Sequence, residues 1–222
     1  MPCPKFPTSQ SMELGMEEEM VALYQSINSL RSDTQKNKVI QFMSAQKEEG
    51  TSTIVEELAK VAAVKYNKSV LMLDADLRKL DQQIFFDITI EHSLEETIRA
   101  GGPVDEALYQ IRNSSLFLSR FFKDSGPIRQ FLAPSGIDDL LEKLRKRFDF
   151  IFIDSPPENV FSIGLATSTS VNGVIVVLDS EKTCLDAAKN ITDKITNKGG
   201  KVLGVVVNKQ RNYIPDFINE RL

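Results

Sequence analysis

Residues 44–53 read SAQKEEGTST, and this stretch indicates the fold through what lies on either side of it. The apolar run KVIQFMS (38–44) leads into it, and the helix-forming run STIVEELAKVAAV (52–64) follows. A strand, a loop and a helix in this order are the context of a phosphate-binding loop, whose pattern is G-x-x-x-x-G-K-[ST]. The four defined positions of that pattern are occupied here, in order, by Ala45, Gly50, Thr51 and Ser52. The stretch therefore predicts a phosphate-binding loop without its lysine; the alternative is a plain strand–turn–helix connection capped by a Thr or Ser.

The rest of the chain repeats the alternation of strand and helix. Apolar runs typical of buried strands occur at 38–44, 69–76, 115–121, 148–155, 172–180 and 201–208. The segments between them have apolar helical faces, formed by Ile54, Val55, Leu58, Val61 and Ala62, by Ile137, Leu140, Leu141, Leu144 and Phe148, and by Leu185, Ala188, Ile191 and Ile195. Apolar strands that alternate with helices are typical of right-handed βαβ units. The sequence therefore predicts an α/β fold with a doubly wound, mainly parallel sheet.

The N-terminal region differs from the rest. Residues 1–10 carry three prolines and are expected to form a loose arm. Apolar residues then recur every three or four positions, which predicts one helical stripe, at Met12, Met16, Met20, Leu23 and Ile27. Such a stripe either packs on the domain or serves for docking or oligomerisation. We therefore divide the chain into residues 1–37, an arm with an amphipathic helix, and residues 38–222, a single α/β domain.

Composition excludes several functional classes. A net charge of −4 argues against a nucleic-acid partner, because proteins that bind the phosphate backbone usually present a basic face. Neither a transmembrane run nor the apolar core of a signal peptide is found, and two cysteines in 222 residues are consistent with a reducing cytoplasm. A single histidine, His92, excludes a His-based zinc site.

Polar residues follow four of the predicted strands at their carboxyl ends, where ligands bind in such sheets. They are Ser44, Asp74 with Asp76, Asp154 with Ser155, and Asn208. Asp74 and Asp76 lie on the same side of an extended segment, and paired carboxylates can hold Mg²⁺ and orient a nucleophile. Arg78 could reach a phosphate or could pair with these carboxylates. Gly50 permits the backbone conformation that the loop needs, and Ser52 offers a hydroxyl where a magnesium ligand would lie.

Three motifs resemble a known family. SAQKEEGTST (44–53), LMLDADLRK (71–79) and FIFIDSPP (150–157) are similar to the Walker A, Walker A′ and Walker B motifs of the bacterial tyrosine kinases. These are cytoplasmic P-loop proteins of capsule and exopolysaccharide synthesis, related to the deviant-Walker ATPases. The resemblance runs from about Glu18 to the end of the chain, through KVLGVVVNK (201–209) and NYIPDFINERL (212–222).

The chain departs from the family pattern at several positions. Thr51 replaces the catalytic lysine, Glu48 replaces a loop glycine, and Gln46 stands where partition-type ATPases have a second lysine. The oligomerising helix of the family carries E-x-x-R-x-x-R, whereas here Glu18 is followed by Val21 and Tyr24. The family's C-terminal tyrosine cluster is reduced to Tyr213. Together these departures indicate that autokinase chemistry has been lost.

The resemblance also implies a set of site residues. ATP or ADP with Mg²⁺ would be bound by Ala45, Lys47, Gly50, Thr51, Ser52, Thr53 and Asn208. The metal would lie on Ser52, Asp74 and Asp154, and the catalytic group would comprise Asp74, Asp76, Arg78 and Asp154. The implied partner is the cytoplasmic segment of an inner-membrane polysaccharide chain-length or export protein, through which the chain would associate with the membrane; homo-oligomers are a further implication.

Three hypotheses about function follow from these observations. The first is a catalytically impaired regulatory partner, a pseudokinase. The second is an active tyrosine autokinase or ATPase that uses Lys47 or Arg78 as its cation. The third is a partition-type positioning protein, which the acidic balance and the lack of a basic amphipathic C-terminal helix disfavour.

Overall fold

A seven-stranded sheet organises the chain, in a computed structural model that describes residues 14–29, 37–76, 88–122, 134–158 and 163–210. The strands are β1 (Lys38–Ser44), β2 (Val70–Asp74), β3 (Tyr109–Gln110), β4 (Leu116–Arg120), β5 (Phe150–Asp154), β6 (Gly173–Asp179) and β7 (Val202–Asn208). Their order across the sheet is β3-β4-β2-β5-β1-β6-β7. Only the β3–β4 pair is antiparallel among the described strands. The predicted mainly parallel α/β fold is confirmed.

Helices connect the strands. They are α1 (Leu14–Ser29), α2 (Thr51–Lys60), α3 (Leu94–Arg99), α4 (Pro134–Arg145), α5 (Ile163–Thr167) and α6 (Leu185–Asn197). A π-helical turn (Val61–Lys65) extends α2, and a 3₁₀ turn (Val104–Ala107) precedes β3. No helix in the described ranges is both long enough and apolar enough to cross a lipid bilayer.

The core lies on both faces of the sheet because successive strand residues point to opposite sides. In β5, Phe150 and Phe152 join the cluster that contains α1 and α2, whereas Ile151 and Ile153 join the cluster beneath α4. A third cluster packs α6 against β6. All three predicted helical faces contribute to these clusters, with two exceptions, Leu185 and Ala188.

Helix α1 packs against the sheet rather than standing free. Met20, Tyr24 and Ile27 are buried in the same cluster as the aromatic residues of β5. The Tyr24 ring stacks on the Tyr66 ring with centroids 4.0 Å apart. Tyr24 stands where the family pattern has an arginine, and here its ring takes part in this packing contact. Met12 and the arm of residues 1–10 lie outside the described residues. The domain boundary between residues 37 and 38 remains a prediction.

Three local expectations differ from the structure. Leu185 is 88% exposed, because α6 rests on the sheet through Ile191 and Ile195, whereas Leu185 is its first residue. Val205 and Val207 in β7 are about half exposed, since β7 is an edge strand of the described sheet. Strand β3 was not predicted from the sequence.

Candidate functional site

The polar residues at the strand ends meet at one edge of the sheet, as predicted. Asp74 of β2 is the register partner of Asp154 of β5, and Asp179 of β6 is the partner of Asn208 of β7. The loop that follows β1 lies between these two pairs, because β1 is placed between β5 and β6. The sheet order therefore brings together residues that are far apart in the chain.

The loop ends at the N-terminus of α2 without a capping side chain. Gly50 is the residue before the helix; its φ is 89°, a left-handed conformation that favours glycine, and the Gly50 carbonyl accepts the Ile54 N–H at 3.0 Å. The alternative of a Thr or Ser cap is therefore wrong: Thr51 is the first helical residue, and its buried hydroxyl has no hydrogen-bond partner. An uncapped helix start with exposed N–H groups attracts anions.

A cleft of about 460 Å³ opens above the loop. Seven predicted site residues line it: Lys47, Gly50, Thr51, Ser52, Thr53, Asp76 and Asp154. Ser44, Glu48, Glu49, Ser155, Pro157 and Lys209 also line it. Within the described part of the chain, Asp74, Ala45 and Asn208 are not in the lining, and Arg78 lies outside the described residues.

Ser52 and Asp154 form the part of the site best suited to a metal. The Ser52 hydroxyl donates a hydrogen bond to Asp154 Oδ2 at 2.5 Å. A hydroxyl and a carboxylate held together in a cleft are oxygen ligands of the kind that Mg²⁺ takes in phosphate-binding loops. Among the described residues, no group of three or more His, Cys, Asp or Glu is arranged as a metal site. The residues present therefore fit a Mg²⁺ ion that also takes ligands from a bound phosphate.

Asp74 lies behind Asp154 rather than in the cleft. It is 1% exposed; its Oδ1 accepts the Asp76 N–H at 2.8 Å, and its Oδ2 has no partner. Burial, and then repulsion by Asp154, raise the pKa of Asp74 well above its usual range. Asp154 and Asp76 line the cleft whereas Asp74 does not, and the raised pKa favours the neutral form of Asp74, which is a poor metal ligand. The geometry therefore favours Asp154 and Asp76 over Asp74 as the groups that face a ligand.

The position of the missing lysine is filled by a buried side chain. Thr51 is 7% exposed, and its side chain is too short to reach across the cleft. Lys47 is exposed in the loop, and its ammonium makes no hydrogen bond or ion pair within the described residues. The ionisable groups of the lining are the carboxylates of Glu48, Glu49, Asp76 and Asp154 and the lysines Lys47 and Lys209. The lining is therefore predominantly acidic.

Glu49 fixes the loop from within. It is 1% exposed; its Oε2 accepts the Gln46 N–H at 3.0 Å, and its Oε1 accepts a hydrogen bond from the Thr183 hydroxyl. The Thr183 contact ties the loop to the connection between β6 and α6. Sequence reasoning missed this role, since 134 residues separate the two side chains.

Two adjacent residues at the end of β7 hold two adjacent carbonyls of the loop. The Asn208 amide donates to the Glu49 carbonyl at 2.9 Å, and the Lys209 ammonium donates to the Glu48 carbonyl. Lys209 also pairs with Asp179 Oδ2 at 3.0 Å. Asn208, predicted as a nucleotide contact, thus supports the loop in this structure. Lys209 was missed, although its place directly after a strand-end asparagine was a signal.

Curated proteins similar to this chain include several tyrosine-protein kinases. No protein-family model matches the chain. The putative tyrosine-protein kinase CapB of Staphylococcus aureus is 25% identical over 167 residues, which are 75% of this chain and 73% of CapB. The tyrosine-protein kinase ptk of Acinetobacter johnsonii is 24% identical over 190 residues, 83% of this chain but only 26% of ptk. CpsD of Streptococcus agalactiae is 21% identical over 208 residues, 86% of this chain and 85% of CpsD.

Solved structures show the same fold. The kinase domain of the Escherichia coli tyrosine kinase ETK has a TM-score of 0.77 at 19% identity and covers 90% of this chain and 79% of its own. The chimerical protein CapA2B2 has a TM-score of 0.77 at 22% identity, covering 88% and 85%. MinD of Pyrococcus horikoshii, complexed with Mg-ADP, has a TM-score of 0.65 at 19% identity, covering 83% and 76%. The chain is therefore a homologue of the bacterial tyrosine-protein kinases, with the mostly parallel α/β fold that their kinase domains share with the P-loop NTPase MinD.

Proposed function

We propose that this chain is a catalytically impaired member of the bacterial tyrosine kinase group, one that binds magnesium and a nucleotide weakly and transfers no phosphoryl group. The observation that carries the proposal is Thr51, a short and buried side chain in the lysine position of an otherwise well-formed loop. The lysine of such loops contacts the β- and γ-phosphates and helps to neutralise the phosphoryl group as it moves. Its loss therefore affects the transition state more than the ground state.

Electrostatics support weak binding. Relative to the family loop, Lys→Thr and Gly→Glu shift the charge by roughly two units toward negative, and one unit pair at 4 Å is worth about 4 kcal/mol at an effective dielectric constant of 20. The two changes are not equal in effect. The Glu48 side chain is 82% exposed, and its carboxylate lies 3.6 Å from the Lys182 ammonium, so solvent and that lysine screen its charge. The larger loss is therefore the lysine at position 51.

Enough of the site remains to hold a nucleotide. The N–H groups at the start of α2 would receive a phosphate, and Ser52 with Asp154 would hold the magnesium ion. ATP and ADP are the nucleotides that the family resemblance implies, and the related MinD structure contains Mg-ADP. The proposal assigns this site a binding or sensing role.

The biological setting is also a proposal. CapB, ptk and CpsD are similar tyrosine-protein kinases, and the resemblance places such proteins in capsule and exopolysaccharide synthesis or export. The proposed partner is the cytoplasmic segment of an inner-membrane polysaccharide chain-length or export protein. The chain would then be cytoplasmic and held at the membrane through that partner. Tyr24 is buried at a position where the family's oligomerising helix has an arginine. Association with further copies of the chain would therefore need contacts other than those of the family's helix.

A labelling assay tests the proposal. Wild type, Asp154→Ala and Thr51→Lys are incubated with Mg²⁺ and ATP labelled at the γ-phosphate, alone and with a tyrosine-containing copolymer. We expect wild type to equal the Asp154→Ala blank, and calorimetry to give an affinity for Mg·ATP weaker than micromolar. Any labelling by Thr51→Lys above that blank would locate the defect at position 51. Labelling of wild type that depends on Asp154, or a sub-micromolar affinity, would contradict the proposal.

A second candidate function is an active autokinase or ATPase with an unorthodox cation. One observation favours it: Lys47 lines the cleft and has no partner in the described part of the chain. Release of phosphate from ATP is measured for wild type, Lys47→Ala, Arg78→Ala and Asp154→Ala. This candidate requires that wild type releases phosphate faster than the Asp154→Ala blank. It also requires that this rate falls when Lys47 or Arg78 is replaced.

A further inference from the structure

Lys209 occupies a defined place at the mouth of the cleft. Its backbone is left-handed, with φ 58°; its N–H donates to Asn208 Oδ1 at 2.9 Å, and its carbonyl accepts the Ser180 hydroxyl at 3.0 Å. These contacts fix the Cα of Lys209 beside the loop. The side chain then crosses the loop to the Glu48 carbonyl and lines the same cleft as Ser52 and Asp154.

The Lys209 ammonium has capacity for another acceptor. An ammonium has three N–H donors, and within the described residues those of Lys209 have two acceptors, Asp179 Oδ2 and the Glu48 carbonyl. The Lys209 side chain is 44% exposed, so an anion in the cleft can approach it. Asp179 does not depend on Lys209 alone, since its other oxygen accepts the N–H groups of Glu181 at 2.9 Å and Lys182 at 3.2 Å. If Lys209 turns toward a ligand, Asp179 therefore keeps both hydrogen bonds to Oδ1.

The neighbouring lysines are less well placed. Lys47 lines the cleft, but no contact in the described structure orients its ammonium. Lys182 lies on the β6–α6 connection, 3.6 Å from the Glu48 carboxylate, and is not among the lining residues of the cleft in the described part of the chain. Lys209 is the lysine that combines an oriented ammonium with a place in the lining.

We propose that Lys209 supplies the cation that contacts the phosphates of a nucleotide bound in this cleft, in place of the lysine absent at position 51. The inference rests on the proposed nucleotide binding and assigns a residue to it. It places the charge just after the end of β7, and not on α2, which begins at Thr51. A lysine there adds binding energy to a phosphate in the ground state. It does not restore the position from which the loop lysine acts on the transferred group, so the inference agrees with binding without transfer.

The competing role for Lys209 is structural, as a latch that only holds the Glu48 carbonyl and Asp179. The two roles predict opposite effects of Asp179→Asn. If Lys209 is a phosphate ligand, removal of the Asp179 charge frees its ammonium, and nucleotide affinity stays the same or rises. If Lys209 is a latch, Asp179→Asn loosens the loop and weakens binding as Lys209→Met does.

The experiment titrates the full chain with Mg·ADP by calorimetry, for wild type, Lys209→Met, Asp179→Asn and Lys182→Met. We expect Lys209→Met to bind about tenfold more weakly or worse, which is the usual loss of a charged hydrogen bond. Lys182→Met, the matched control, stays within about twofold of wild type, because Lys182 pairs only with the exposed Glu48 carboxylate and is not in the lining of the cleft among the described residues. Asp179→Asn binds at least as tightly as wild type. Melting temperatures show whether each variant remains folded.

Three results would overturn the inference: Lys209→Met binding like wild type, Asp179→Asn and Lys209→Met losing affinity equally, or wild type showing no affinity for Mg·ADP. If Lys209→Met does not fold, the Asp179→Asn result alone decides. The catalytic part of the proposed function, the absence of phosphoryl transfer, is read separately, from Asp154-dependent labelling with ATP. A chain that transfers phosphate but binds independently of Lys209 would fail both, whereas one that transfers none and binds independently of Lys209 would fail only this inference.

Discussion

Asp74 and Asp154 are register partners at the carboxyl ends of the neighbouring strands β2 and β5. Asp154 faces the cleft and accepts the Ser52 hydroxyl, whereas Asp74 is buried behind it with one carboxyl oxygen unpaired. Two adjacent carboxyls are not easily ionised together. The pair is therefore divided: Asp154 is placed to meet a magnesium ion, whereas burial, and then repulsion by Asp154, raise the pKa of Asp74 and favour its protonated form.

Replacement of Asp74 by Asn tests this division. Because the pKa of Asp74 is raised on folding, the folded chain binds this proton more tightly than the unfolded chain, and the unfolding free energy falls as pH rises from about 4 through the raised pKa. Asn is neutral throughout and lacks this fall. We expect Asp74→Asn to gain stability on wild type as pH rises from 4 to 9, by about 1.4 kcal/mol for each unit by which folding raises the pKa of Asp74 within that range. Urea unfolding at a series of pH values measures it. As a control, Asp139→Asn on the exposed face of α4 should leave the pH dependence unchanged; parallel curves for wild type and Asp74→Asn would contradict the division.

Ser52→Ala tests the metal site. The Ser52 hydroxyl donates to Asp154 at 2.5 Å and is placed to become a magnesium ligand. Its removal should therefore weaken the binding of a magnesium-bound nucleotide and leave the binding of a metal-free nucleotide unchanged. We expect affinity for Mg·ADP to fall about tenfold, or about 1.4 kcal/mol, and affinity for ADP in EDTA to change little. Calorimetry with and without magnesium measures both. An equal loss in the two conditions would show that Ser52 contacts phosphate or shapes the loop instead.

Gly50→Ala tests the packing of the loop against the end of β7. Gly50 has φ 89°, and a Cβ built on it would lie 2.1 Å from the Asn208 amide nitrogen. An alanine here therefore combines left-handed strain with displacement of the amide that holds the Glu49 carbonyl. We expect the unfolding free energy to fall by about 2 kcal/mol or more. Thermal and urea unfolding measure the loss.

The matched control is Gly101→Ala. Gly101 has φ 72°, but a Cβ built there meets nothing within 4 Å, so that variant has the strain without the collision and should lose about 1 kcal/mol. In Gly50→Ala/Asn208→Ala the obstacle is gone, and the loss should be smaller than the sum of the two single losses. Equal losses for Gly50→Ala and Gly101→Ala would exclude a role for the Asn208 contact.

Most of the sheet could be predicted from the sequence because each strand of five or more residues lies in a mainly apolar run. The run predicted as a strand at 201–208 contains β7, Val202–Asn208, and the run at 148–155 contains β5, Phe150–Asp154. Strand β3 could not be predicted, since two residues show no periodicity and Tyr109 and Gln110 form a strand only by pairing with β4. Burial of Tyr24 also went unpredicted, because it depends on Tyr66, which is remote in sequence.

The candidate site was predicted only where its residues belong to local motifs. Ser52 and Asp154 were found because each occupies a recognised position in a short pattern, and the structure joins them directly. Glu49 and Lys209 were missed because their contacts link residues 134 and 161 positions apart, a separation at which the sequence carries no periodic signal. Arg78 and Tyr213, predicted respectively as a catalytic residue and as the remaining tail tyrosine, lie outside the described residues.

Lys38→Met tests how α1 is fixed to the domain. Lys38 is 8% exposed, and its ammonium donates to the carbonyls of Ile27 at 3.0 Å and Asn28 at 2.6 Å, in the last turn of α1. Methionine keeps the apolar stem but leaves these carbonyls without a donor, so we expect a loss of about 1–3 kcal/mol in unfolding free energy. Amide hydrogen exchange should rise mainly in α1, since the lost contacts hold that helix. Lys65→Met is the control. Lys65 also links α1 to the body, through Glu17 at 2.8 Å, but both side chains are about half exposed, so this pair should contribute much less to the unfolding free energy. Equal losses from the two variants, or exchange that rises uniformly along the chain, would show that α1 is held by its apolar stripe alone.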